Sequence, residues 1–117
     1  MKLFVLILNC TEKLDELMLR FAKEKICGAT ILDSTGMARE LYRSKHEEEI
    51  SFFGSIRKYL NNNEHERSKT IFTVIREDQQ DTIIRITEEV VGDFSKPDTG
   101  IMFILPLDFA RGKGLNK

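Results

Sequence analysis

Apolar positions along this chain switch between two spacings, and the order of the switches is repeated. Lys2–Leu8 is a short, almost continuous apolar run of strand length. Leu14, Leu17, Met18 and Phe21 then recur at i, i+3, i+4 and i+7, which predicts a helix over Glu12–Lys25 with one buried stripe. Thr11 stands where an N-cap is expected, and Gly28 where a left-handed residue would end the helix. A second apolar run, Ala29–Asp33, follows. The same sequence of periods returns as a strand over Lys69–Arg76, a helix over Gln79–Val91 and a strand over Gly100–Leu105. In that second helix Ile83, Ile86 and Val90, with Ile84 and Val91 beside them, form a broader stripe, and Gly92 closes it.

Two strand–helix–strand units within 117 residues predict one α+β domain over residues 1–117, a ferredoxin-like βαββαβ sandwich with helices on one sheet face. Such a sheet should alternate apolar and polar residues. Phe4–Leu8 and Ile101–Leu105 do not alternate, so the second face should be covered as well. We expect an oligomer whose sheets face one another; the alternative is an inserted segment folding back over that face. The insertion is residues 36–68, between the second and third strands, where a minimal fold needs only a tight hairpin. A connection of that length is usually functional or disordered. Its Arg39–Glu49 stretch is charged with mixed sign and reads as solvated. Within Ile50–Leu60, Phe52 or Phe53, Ile56, and Tyr59 or Leu60 fall on one side of a short helix, which suits a docking or lid element or a local cap on the core.

Composition narrows the function more than the fold. A net charge of −1 and a pI near 6.1 argue against a nucleic-acid partner, which calls for a basic face. Phe72 is the sole aromatic on the third strand, which also disfavours an RNA-recognition sheet. The run Leu3–Leu8 is too short to cross a bilayer and follows no secretory signal, so the cytoplasm is the expected location, with Cys10 and Cys27 as reduced thiols. His46 before Glu47–Glu49, and His65 between Glu64 and Glu66, could meet a divalent metal, but no fixed ligand spacing accompanies them. Asp33, Asp93 and Asp98 each have a turn or cap explanation, and Asn9–Glu12 carries no glycine-rich anion loop. No enzyme chemistry is expected.

The segments Gly28–Arg39 and Asp98–Leu107 resemble the PII signal-transduction (nitrogen regulatory protein P-II) family. There the second strand opens with a Gly-Met-Thr-like motif, here Gly28, Ala29 and Thr30, and a glycine, here Gly36, begins a long loop. The last strand follows a glycine-containing turn, here Asp98, Thr99 and Gly100, and stays apolar up to Pro106. The first strand and Lys13–Glu16 also match. The resemblance implies a homotrimer that holds an ATP-, ADP- or AMP-type nucleotide in clefts between subunits. Thr30 would lie near the base edge, Gly36 with Met37 at the loop root, and Asp98, Thr99 and Gly100 would offer amides to phosphates. Arg111 and Lys113 would balance charge from a neighbouring subunit. Ile101 replaces the family's phosphate-binding lysine, and Glu47 and Lys45 stand where other members carry a modified tyrosine or serine. The implied function is a regulatory sensor that binds a small anionic effector and signals through its loop to a protein partner, without covalent modification. The alternatives are a ligand-free trimeric module docking through the loop helix and a divalent-metal-binding trimer.

Overall fold

The computed structural model describes residues 1–44, 46, 49 and 67–115. Strand β1 is Lys2–Leu8, helix α1 Leu14–Lys23, strand β2 Thr30–Ser34, helix α2 Met37–Arg43, strand β3 Ser68–Ile75, helix α3 Gln80–Val91 and strand β4 Gly100–Pro106. The strands form one four-stranded sheet in the order β2-β3-β1-β4, and each neighbouring pair is antiparallel. The chain is therefore an α+β protein whose elements are compatible with the ferredoxin-like sandwich expected. No helix among the described residues is long and apolar enough to cross a membrane.

One sheet face and the two long helices share the core. Phe4, Leu6 and Leu8 alternate inward from β1 and meet Ile71 and Ile75 of β3. Leu17 and Phe21 of α1 and Ile83, Ile86 and Val90 of α3 close over them, as the apolar stripes predict. Phe4 and Phe21 meet edge to face, ring centroids 6.0 Å apart, the arrangement aromatic quadrupoles favour. Thr87 is a buried residue outside the predicted stripe; its hydroxyl donates to the Ile83 carbonyl at 2.7 Å, so it enters the core without an unpaired donor.

Helix α1 departs from expectation at both ends. Thr11 is not its N-cap: Thr11–Lys13 form a 3-10 turn, and neither Cys10 nor Lys13 caps through its side chain. Gly28 does not end it either. Lys25 takes the left-handed position at φ 64°, its N–H bonds the Ala22 carbonyl, and the Ile26 N–H reaches back to Phe21. This is a Schellman closure, and burial of Ile26 beside Phe21 supplies the apolar contact that accompanies it. Gly92 does close α3, at φ 103°.

The opposite sheet face carries the feature that bears on function. The register places Leu3 between Val74 and Leu105, Val5 between Phe72 and Phe103, and Ile7 between Thr70 and Ile101. Leu32 and Thr30 extend the last two rows onto β2. None of these side chains is charged, and the residues at the two edges are open in the single chain: Ile101 is 56% exposed, Phe103 40%, Leu105 45% and Leu32 50%. Hydroxyls bound this face where the insertion leaves it. Ser34 and Ser68 lie 2.6 Å apart through their Oγ atoms, and Thr70 Oγ1 donates to Ser34 Oγ at 2.8 Å.

Candidate effector site

The turn between α3 and β4 is built from its own side chains. The Asp93 carboxylate accepts from the Ser95 N–H at 2.9 Å and from the Ser95 hydroxyl at 2.7 Å, and these bonds hold its pKa below the ordinary carboxylate range. Thr99 is buried, and its hydroxyl lies 2.9 Å from the Lys96 carbonyl and 3.2 Å from that of Asp93. The Thr99 side chain is thus committed to the loop; what it offers a ligand is backbone. Asp98 sits at φ 61°, a left-handed position that aspartate tolerates, and adds a negative charge to the turn. An anion bound there needs cations close by, and the turn itself supplies Lys96.

Gly100 has a structural reason that the sequence did not disclose. At φ 138°, a Cβ on this residue would stand 2.1 Å from the Ile7 carbonyl oxygen and 3.3 Å from Leu8 Cα. Glycine is required for β4 to approach β1, irrespective of any ligand. The Asn9 N–H also donates to the Thr99 carbonyl at 3.1 Å, and Cys10 Sγ lies 3.7 Å from that same oxygen. Burial, together with the nearby Glu12, pushes the Cys10 thiol pKa up, so this cysteine is a packing residue and not an activated nucleophile.

The remaining predicted residues lie elsewhere on the sheet. Thr30 is exposed at the start of β2, opposite Phe72. Gly36 is the N-cap of α2 in an extended conformation, with nothing within 4 Å of the point where a Cβ would stand, and Met37 follows it in solvent. The stretch read as solvated charge is thus partly helical: α2 occupies Met37–Arg43, tied by Glu40 to Arg43, while the short helix expected within Ile50–Leu60 lies outside the described residues. Ion pairing of Asp33 with Lys69 on one face and the Ser34–Ser68–Thr70 hydroxyls on the other join the two strands where the insertion begins and ends.

Within a single chain these groups do not form one pocket. β2 and β4 are opposite edges of the sheet, three strand spacings or about 14 Å apart. Gly36 and the Asp98–Gly100 turn share one end of the sheet, since Gly100, Leu8, Lys69 and Asp33 stand in one cross-strand row. Arg111 and Lys113 lie past the other end, beyond the Lys2–Pro106 pair, and the Arg111 guanidinium stacks 5.2 Å from the Phe109 ring centroid. Ile101 belongs to the uncharged row of Ile7 and Thr70 on the open face. Among the described residues no group of three or more histidine, cysteine, aspartate or glutamate side chains could hold a metal; His46 lies 3.6 Å from Glu49, and His65 lies outside the described residues. No protein-family model and no curated protein matches this chain.

Proposed function

We propose that this chain is a PII-like regulatory protein. It works as a homotrimer that takes a small anionic effector, an adenine nucleotide being the first to test, between subunits. Effector binding changes the disposition of the 36–68 insertion, which engages or releases a protein partner in the cytoplasm. The observation that carries this reading is the uncharged, open sheet face, together with the placing of Thr30 and Gly36 on one edge and the Asp98–Gly100 turn on the other. A face of that kind favours association with another copy, and a cleft lined by both edges exists only between copies. The anion would meet the backbone of the turn and Lys96; Arg111 and Lys113, past the other end of the sheet, do not line this site. Signalling requires that the effector prefer one state of the insertion over the other.

A thermal-shift titration with ATP, ADP, AMP, cyclic dinucleotides and bicarbonate tests the reading. A true effector at about 100 times its dissociation constant adds roughly 2.7 kcal/mol of stability. The shift should shrink in Thr30→Ala, which removes an exposed side chain and leaves the core intact. Absence of a shift with every compound, while the oligomer is intact, would favour a ligand-free interaction module.

A further inference from the structure

Resting on the effector reading above, we infer that the effector carries a single phosphate group, as a nucleoside monophosphate does, and not a polyphosphate. The charge at this end of the sheet has room for one such group. Around the β4 turn, Lys96 shares its loop with Asp93 and Asp98. Asp93 stays ionised, because the Ser95 hydroxyl and N–H stabilise its carboxylate. Glu12 and Lys13 also act here: besides burial, Glu12 and Asp98 push the Cys10 thiol pKa up, and Lys13 opposes them. Three carboxylates thus meet two lysines. At the β2 edge Lys69 and, less strongly, Arg67 hold the Asp33 carboxyl below its ordinary range. Helix α2 adds Arg39, since its Glu40 is paired with Arg43. Taken together, five cations face four carboxylates, which leaves one positive charge. Residues 45–66 do not enlarge that surplus, for they hold three Lys or Arg against five Glu.

The other polar groups at this end are neutral. Ser34, Ser68 and Thr70 bring three hydroxyl protons to one corner of the open face. Thr70 donates to Ser34, and a second proton lies between Ser34 and Ser68. The third has no acceptor among the described residues, although Ser68 is only 5% exposed. A buried donor without an acceptor is costly, so a ligand oxygen is what this corner lacks. A neutral hydroxyl binds a phosphate oxygen about half as strongly as an ionised donor does. Backbone amides, Lys96 and a hydroxyl can therefore hold one phosphate. Each further phosphate would leave water with no cation to meet it, and that transfer is unfavourable.

Calorimetric titration of the full chain with adenosine, AMP, ADP and ATP, with and without magnesium, tests the inference. Phosphate, pyrophosphate and tripolyphosphate repeat the series without the base. AMP should bind at least as tightly as ADP and ATP, and about tenfold or more tighter than adenosine. A cation on each further phosphate would instead tighten binding by about tenfold per phosphate. ATP binding tenfold tighter than AMP, or tripolyphosphate than phosphate, overturns the inference and leaves the effector reading standing. Adenosine binding as well as AMP overturns it too, as does silence from the whole series. If bicarbonate and cyclic dinucleotides are also silent, the effector reading itself falls. Lys96→Gln should weaken AMP about tenfold and leave adenosine unchanged. Asp98→Asn keeps a residue suited to φ 61° and should shift the ATP-to-AMP affinity ratio severalfold toward ATP. An unchanged ratio refutes the charge argument. Circular dichroism confirms the fold, and Glu12→Gln makes the same test if Asp98→Asn disturbs it.

Discussion

Gly100→Ala tests most sharply how β4 is held. The added methyl would stand 2.1 Å from the Ile7 carbonyl oxygen, more than 1 Å inside an ordinary carbon–oxygen contact, and the obstacle is backbone that cannot rotate away. The residue would also have to keep φ near 138°, which costs a non-glycine residue about 1–3 kcal/mol. Relief requires the start of β4 to move off β1. That weakens the Leu8–Gly100 pairing and the 3.1 Å bond from Asn9 to Thr99, each worth about 1 kcal/mol. The sum is roughly 3–5 kcal/mol, a large part of the 5–15 kcal/mol that holds a domain of this size. Urea unfolding followed by circular dichroism reads it directly, and the melting temperature should fall by about 10–20 °C. A loss under about 1 kcal/mol would refute the reasoning. A Gly100 variant of normal stability that fails only to bind an effector would assign the glycine to the ligand.

Other perturbations separate the roles of neighbouring residues. Gly36→Ser places a capping hydroxyl on α2 in open space, so stability should hold or rise by about 0.5 kcal/mol in the same urea assay. The Lys69 ammonium holds the Asp33 carboxyl below the ordinary carboxylate range, so its contribution is present above that range and is lost as pH falls through the lowered value. The stability difference between wild type and Lys69→Met should accordingly be constant near neutrality and shrink toward zero below about pH 4. Of the two free thiols, exposed Cys27 should react promptly with a thiol reagent at pH 8, whereas buried Cys10 should react only on unfolding. Mass spectrometry after a short exposure would count a single adduct.

Periodicity made the architecture legible. Strands β1 and β4 fall within a residue of expectation because each is a nearly unbroken apolar run of strand length, and helix α3 does so because its apolar residues keep one helical period from end to end. Non-alternation in Phe4–Leu8 and Ile101–Leu105 goes with a second face that carries no charge in the rows from Leu3 to Ile7; the cover expected over it is not supplied by the described residues of the single chain, where its edges are open. The end of α1 was hidden because its left-handed residue is a lysine; the signal that could have found it was Ile26, an apolar residue spaced to pack on Phe21. Helix α2 begins in a stretch whose mixed charge suits solvent, yet Met37–Arg43 is composed almost wholly of strong helix formers. Thr99 and Gly100 looked like anion-binding backbone. The carbonyls beside Thr99 and the contact with Ile7 belong to residues distant in the chain or to loop geometry, which no local pattern encodes.

Light scattering of the wild-type protein after size exclusion, at micromolar concentration and without ligand, bears most directly on a regulatory site built between copies. A mass of about 41 kDa, three times the 13.6 kDa chain, is the predicted result. A single species of 13.6 kDa across that range would contradict it, for Thr30 and the Asp98–Gly100 turn would then never share a cleft.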